Sequence, residues 1–178
     1  RMFFVASTGV EVETERTYVS AGVMATYREG DDVGSSYEYD YAVSLGEIDF
    51  EEVGAKAAKK AVEQFGSRRV ESGTLPVVVS PDSSSSLYLA LLVAISGSSV
   101  VKGRTYASEL LGKEVAPPIL EIRDDGTIPG AVASDTYDGE GVPKKPVTVV
   151  EGGRIRTFLH NSYSAGIAGV ETTGHAIR

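Results

Sequence analysis

The chain has 178 residues, 17 of them basic and 25 acidic, for a net charge of −8 at neutral pH. That length can bury a core without covalent staples and fits one compact domain or two small ones. The negative charge leaves no basic surface to displace counterions from a nucleic acid, and the absence of cysteine excludes disulfides, thiolate nucleophiles, iron–sulfur clusters and zinc ribbons.

Taken in chain order, the first third reads as β-structure. Residues 3–6 form a short apolar run, and Ser7-Thr8-Gly9 signals a turn. Residues 10–16 alternate, with Val10 and Val12 on one side and Glu11, Glu13 and Glu15 on the other. Residues 17–27 alternate too, placing Val19, Ala21, Val23 and Ala25 on one face, the period of a half-buried strand. The polar stretch 28–34 reads as a loop, and residues 35–44 set Tyr37, Tyr39 and Tyr41 on one face. Connections this short predict an antiparallel meander.

The period then changes. Val53, Ala57, Ala61 and Phe65 recur at steps of four over residues 49–65, predicting an amphipathic helix. Asp49 and Glu52 form a variant capping box, and Gly66 supplies a stop. Residues 75–79 read as a short apolar strand. Ser80-Pro81-Asp82 starts a second helix: a capping hydroxyl, a proline at the first position and an acid near the positive end. That helix, over residues 81–96, is apolar on almost every side between Leu87 and Ile95 and is closed by Gly97. Such a helix needs cover all round, from the chain's own sheet or from a partner. The apolar run is far too short to span a bilayer.

A short helix is predicted over residues 106–111, a strand over 119–123, and a turn at Asp124-Asp125-Gly126. Residues 127–145, rich in Gly, Asp and Pro, predict a long ordered loop. Residues 147–151, Gly152-Gly153 and residues 154–159 are the clearest hairpin. The tail from Asn161 carries small residues and no predicted element. No period of 20–50 residues repeats. The expectation is a single α+β piece over residues 1–178, a mostly antiparallel sheet with two main helices packed on it. The opening on Arg1 and the immediate run into a strand read as an excised piece of a longer protein. Near-absence of Asn and Gln is the composition of a thermophile protein, or chance in a short chain.

The chemistry-bearing residues are few. His160 and His175 are the two histidines, and neither belongs to H-E-x-x-H or to a close pair. No G-x-S-x-G is present. Ser99-Val100-Val101-Lys102 matches S-x-x-K without the partner motifs of that chemistry, and reads as a connecting loop. Ser83 to Ser86 lacks the glycines and lysine of a phosphate loop. Asp135, Asp138 and Glu140 lie within six residues, but without calcium-loop spacing they read as loop acids bonding backbone amides. Motifs alone show no activated nucleophile and no metal cage.

A set of short blocks, in order and at consistent spacing, nonetheless resembles one family. They are Phe4-Val5-Ala6-Ser7-Thr8-Gly9-Val10, Leu75-Pro76-Val77-Val78-Val79-Ser80-Pro81, Ala94-Ile95-Ser96-Gly97, Asp124-Asp125-Gly126-Thr127-Ile128-Pro129-Gly130, Tyr137-Asp138-Gly139-Glu140-Gly141-Val142-Pro143, Asn161-Ser162-Tyr163-Ser164-Ala165 and Thr173-Gly174-His175-Ala176. Together they resemble the TldD/PmbA proteins, described as metalloprotease-like modulators of DNA gyrase. The resemblance marks Asp138, Glu140, Gly141, Tyr163 and His175 as family-motif or substrate-binding positions. The TldD branch carries a zinc-binding H-E-x-x-x-H on the central helix. The stretch that aligns with it here is Leu89-Ala90-Leu91-Leu92-Val93-Ala94, where both histidines and the glutamate are replaced by apolar residues.

The chain therefore looks like the PmbA branch, also called TldE, and like the middle part of a longer family chain. The resemblance implies an α+β fold and a non-catalytic partner of an intracellular TldD-type metalloprotease in peptide maturation or proteolysis. The implied partners are a TldD-like subunit or a second copy, and a peptide or unfolded protein. No resident metal or cofactor, no catalytic residue, no direct nucleic-acid contact and no membrane are expected, and the implied location is cytoplasmic. Two other expectations stand beside it: a metallopeptidase or other hydrolase in its own right, using His160 or His175 with loop acids, and a gyrase-modulating binding protein.

Overall fold

The computed structural model describes residues 1–177 and is α+β, with antiparallel strand pairing throughout the named ladders. In chain order the elements are β1 (Met2–Val5), β2 (Glu11–Thr14), β3 (Val19–Glu29), β4 (Asp32–Ala42), α1 (Phe50–Glu63), α2 (Pro81–Ile95), α3 (Gly97–Val101), β5 (Ile122–Asp124), β6 (Val147–Glu151), β7 (Arg154–Ile155) and α4 (Ser162–Ala168). The strands form three separate ladders, β1-β2, β3-β4 and β5-β6-β7, rather than one sheet. The chain divides into two compact units. The smaller comprises Arg16–Pro76 with Gly130–Val132, and the larger comprises Arg1–Glu15, Val77–Pro129 and the chain from Ala133 onward.

In the smaller unit, β3 and β4 pair along their whole length, from Val19 opposite Ala42 to Glu29 opposite Asp32. The loop expected at residues 28–34 is thus a tight turn. Gly30, at φ +61°, lets the chain reverse there, and the polar residues on both sides join the ladder. Asp32 then reaches back to accept the Gly66 amide at 2.9 Å, tying the turn to the end of α1. α1 begins as its capping residue predicts, with the Asp49 carboxylate accepting the Glu52 amide at 2.9 Å. It buries Val53, Ala57 and Ala61 against the hairpin. The approach is so close at Gly34 that a Cβ there would stand 2.0 Å from the Ala61 carbonyl oxygen. On the opposite face Tyr37, Tyr39 and Tyr41 stack at centroid spacings of 6.0 Å.

In the larger unit the core gathers Ile95, Ala107, Val147, Val149, Val150, Ile155 and Phe158. α2 starts as expected, with the Ser80 hydroxyl accepting the Ser83 amide and Pro81 at the first turn. The strand expected at residues 75–79 does not form. Val78 is 99% exposed, and no partner strand lies beside it to complete a ladder. Gly97 does not close α2. The helix ends at Ile95, and Gly97 opens α3. The strand expected at 119–123 starts later, at Ile122, because Ile119 is turned out to solvent. The β6–β7 hairpin turns through Gly152 and Gly153, at φ +55° and +73°, the pair of positive values its two-residue turn requires. Its second strand is shorter than expected because the backbone at Leu159 is claimed elsewhere. Leu159 donates to the Ile95 carbonyl at 3.1 Å and accepts the Gly97 amide at 2.7 Å. α4 was absent from the sequence expectation. Asn161 caps it by accepting the Ser164 amide at 2.9 Å, and Gly169 ends it at φ +69°.

Candidate functional site

The loop around Asp138 joins three of the sequence blocks. The Asp138 carboxylate is nearly buried and accepts three backbone amides: Glu140 and Val142 on Oδ1, both at 2.9 Å, and Ala176 on Oδ2 at 3.0 Å. Glu140 accepts the Ser162 amide at 2.9 Å, adding a second acceptor at the start of α4. Gly141, at φ +79°, lies where a Cβ would be 2.7 Å from Val10 and 2.8 Å from the Phe4 ring. The acids of this loop thus satisfy amide donors. Among the described residues no group of three or more His, Cys, Asp or Glu side chains gathers as a metal cage. Tyr163 stands exposed on α4 with the Lys102 ammonium 5.3 Å from its ring centroid, so Lys102 serves a cation–π contact.

Behind this loop runs a chain of hydrogen bonds. His175 Nε2 lies 2.9 Å from Asp124 Oδ1, and Nδ1 lies 3.0 Å from the Thr173 hydroxyl. Since a carboxylate only accepts, Nε2 carries the hydrogen. The bond from His175 holds the Asp124 carboxyl below the usual carboxylate range, with a smaller attraction from Lys144, while burial opposes both. Carboxylate, imidazole and hydroxyl in line resemble a catalytic triad. Thr173 Oγ1, however, accepts the His160 amide at 2.7 Å and lies 3.0 Å from the His160 carbonyl oxygen. Two backbone groups occupy it, so it serves as a positioning group rather than a nucleophile.

His160 is buried, and burial lowers its pKa. Its Nδ1 lies 3.2 Å from the Ser164 hydroxyl, which is 2.8 Å from Asn161 Oδ1. With the Ser164 proton directed to the closer oxygen, Nδ1 is the donor of its pair, which fixes the tautomer. Gly97 packs directly over this pair: a Cβ would stand 2.3 Å from His160 Nδ1 and 2.8 Å from Ser164 Oγ.

Beside Asp124 lies a feature shaped to take a ligand. A groove of about 320 Å³ opens between α2 and β5. Its helix wall is Tyr88, Leu91, Leu92 and Ile95, at the i, i+3, i+4, i+7 spacing of a single stripe. Ile122 and Asp124 of β5, with Val149 of β6 beneath, form the other side. β5 pairs with β6 alone, so its outer edge is open in its ladder. The sequence marked Asp124 as part of a turn and of one family block, but not as a site residue. Its junction with His175 spans 51 residues and has no local signature.

The central domain of PmbA/TldA metallopeptidases matches residues 1–65, and their C-terminal domain matches residues 72–178. The chain belongs to the PmbA/TldD family. It is 29% identical over 149 residues to metalloprotease PmbA of Escherichia coli O157:H7, covering 83% of this chain and 33% of that protein. It is 31% identical over 143 residues to a PmbA homologue of Haemophilus influenzae, covering 78% and 32%. Among solved structures, a Thermotoga maritima protein described as a candidate modulator of a DNA gyrase superposes with a TM-score of 0.90 at 31% identity, over 96% of this chain and 40% of that one. TldE of Thermococcus kodakarensis superposes with a TM-score of 0.78 at 26% identity, over 94% and 38%. The chain thus spans about a third to two fifths of the length of these relatives.

The family raises the question of zinc. The resemblance places the two histidines and the glutamate of the TldD-branch motif at Leu89, Ala90 and Ala94, which lie on α2. None carries a lone pair. Hydrocarbon cannot replace the water shell of a divalent ion, so these residues do not fit a zinc site.

Proposed function

We propose that this chain is part of a PmbA/TldE-like subunit that binds extended peptide without hydrolysing it, alongside a TldD-type metallopeptidase chain inside the cell. The observation that carries the reading is α2, whose metal-motif positions hold only aliphatic side chains. What remains is a groove walled by one helix stripe and by a strand with an open edge. An extended peptide satisfies its amides by pairing with such an edge, while alternate side chains drop into the groove beside it. The negative net charge and the apolar groove suit peptide better than nucleic acid. No helix among the described residues is long and apolar enough to cross a membrane.

The test is metal analysis with a peptidase assay. The purified chain is expected to hold no stoichiometric zinc after dialysis and to cleave no unfolded peptide alone, while binding that peptide. Cleavage by the chain alone, abolished by chelator, or one tightly held zinc per chain would refute the reading.

A further inference from the structure

We propose that the groove between α2 and β5 is a subsite for an alkylammonium group, contributed by a lysine side chain or by the free amino terminus of an extended peptide. The inference deepens the peptide-groove reading and rests on it. The carbon chain of the ligand lies along Leu91, Leu92 and Ile95, and the ammonium meets the Asp124 carboxylate at the end of β5.

Three features select this chemistry. First, the lining combines a continuous hydrocarbon wall with a carboxylate, the complement of an amphipathic chain with a cationic head. Second, Asp124 keeps binding capacity. His175 engages Oδ1, and Oδ2 has no protein hydrogen bond among the described residues. The carboxyl is held below its usual range, so the charge is present at neutral pH. Third, the other charged residues lining the groove leave it no net positive charge. Arg123 is paired with Asp125 at 3.3 Å, and Glu121, just before β5, adds negative charge; Lys144, which attracts Asp124, is not among the lining residues. A purely apolar side chain would desolvate Asp124 with nothing to replace the lost water, and an anion would be repelled. A volume of about 320 Å³ accommodates roughly ten waters at the liquid density, room for one long side chain but not for a folded segment.

The experiment titrates the full 178-residue chain at neutral pH and low salt, by NMR or calorimetry, with n-pentylamine and with 1-pentanol as its neutral counterpart. Pentylamine is expected to bind about tenfold more tightly, as one partly exposed charge-assisted hydrogen bond implies. The preference should vanish in Asp124→Asn. Leu92→Arg, at a largely exposed position that tolerates change, carries its own cation into the groove and should block pentylamine. Equal binding of amine and alcohol, or a preference that survives both substitutions, overturns the subsite.

Three peptides then separate the sources. One is capped at both ends with a central lysine, one is capped with norleucine in its place, and one carries norleucine with a free amino terminus. A gain confined to the first assigns the subsite to lysine, and a gain confined to the third assigns it to the amino terminus. If all three bind alike, the subsite falls and the peptide groove stands. If none binds while pentylamine does, the subsite stands and the peptide groove falls.

Discussion

Asp138 offers a stringent test of how the family-motif residues act. The resemblance makes it a motif or substrate-binding position, yet its carboxylate is fully engaged by the amides of Glu140, Val142 and Ala176. Asp138→Asn keeps the shape and one oxygen. Placed on the Glu140 and Val142 amides, that oxygen turns the new NH2 group toward the Ala176 amide, donor against donor. The cost has two parts. One bond is lost with its amide left unpaired, about 1–3 kcal/mol, and two charge-assisted bonds become neutral ones, which loses roughly half of their strength. The sum is about 3–5 kcal/mol. A urea slope of about 2 kcal/mol per molar converts it into a midpoint roughly 1.5–2.5 M lower. Hydrogen exchange at Ala176 should accelerate, while amides of α1, in the other unit, keep their protection. A midpoint within about 0.2 M of the parent, together with weaker peptide binding, would refute the structural role and return Asp138 to the binding surface.

Gly97→Ala should destabilise by about 1–3 kcal/mol, because its Cβ would stand 2.3 Å from His160 Nδ1 in a packed interior, whereas Gly54→Ala in α1, with nothing within 4 Å, should stabilise by about 0.5–1 kcal/mol; paired thermal melts check both signs. Acid should act through two groups in separate windows. The lowered pKa of His160 makes its contribution present above about pH 6.5, the unfolded value, and lost as pH falls through the folded one. The lowered pKa of Asp124 makes its contribution present above about pH 3.9 and lost as pH falls further, so stability curves of the parent and of His175→Gln should converge in strong acid. Curves that stay parallel down to the acid limit would contradict that assignment. On α2, Leu89→Glu should change stability by less than about 0.5 kcal/mol, since Leu89 is 63% exposed, while Ile95→Ala, at 1% exposed, should cost about 2–5 kcal/mol; urea titration distinguishes them.

The parts of the fold that sequence revealed are those encoded within a few residues. Asp49 before α1, Ser80-Pro81 before α2 and Gly152-Gly153 between β6 and β7 each act on backbone groups two to four positions away, and each acts as its residue type dictates. Where composition misled, pairing decided. Residues 28–34 are polar, yet those flanking the turn are strand because β3 and β4 lie opposite each other. Residues 75–79 are apolar and are not strand, because no strand among the described residues pairs with them. α4 is short and built of small residues, so no apolar period announces it, although the Asn161 cap was available as a signal. The site was least legible. Of the residues singled out in its motifs, Asp138 and Glu140 hold backbone amides in place and His175 holds Asp124 of the groove, a pair far apart in sequence that touches only in the folded chain.

Thr173 shows why this arrangement suits binding better than catalysis. With Nε2–H on Asp124, Nδ1 accepts the Thr173 proton, and the His160 carbonyl keeps the Thr172 hydroxyl at 3.1 Å. A general base must accept a proton from a substrate and so needs one nitrogen open to it. Here both nitrogens are occupied, and the carboxylate is held at one oxygen and available at the other. Protein groups that keep a charge oriented make a steady counter-ion for a bound cation. On the same helix, the stripe that faces the groove contains Leu91 and Ile95, distinct from the exposed Leu89 and Ala90 at the aligned metal-ligand positions. In the proposed reading, recognition of an extended chain therefore rests on residues other than those aligned with the metal motif.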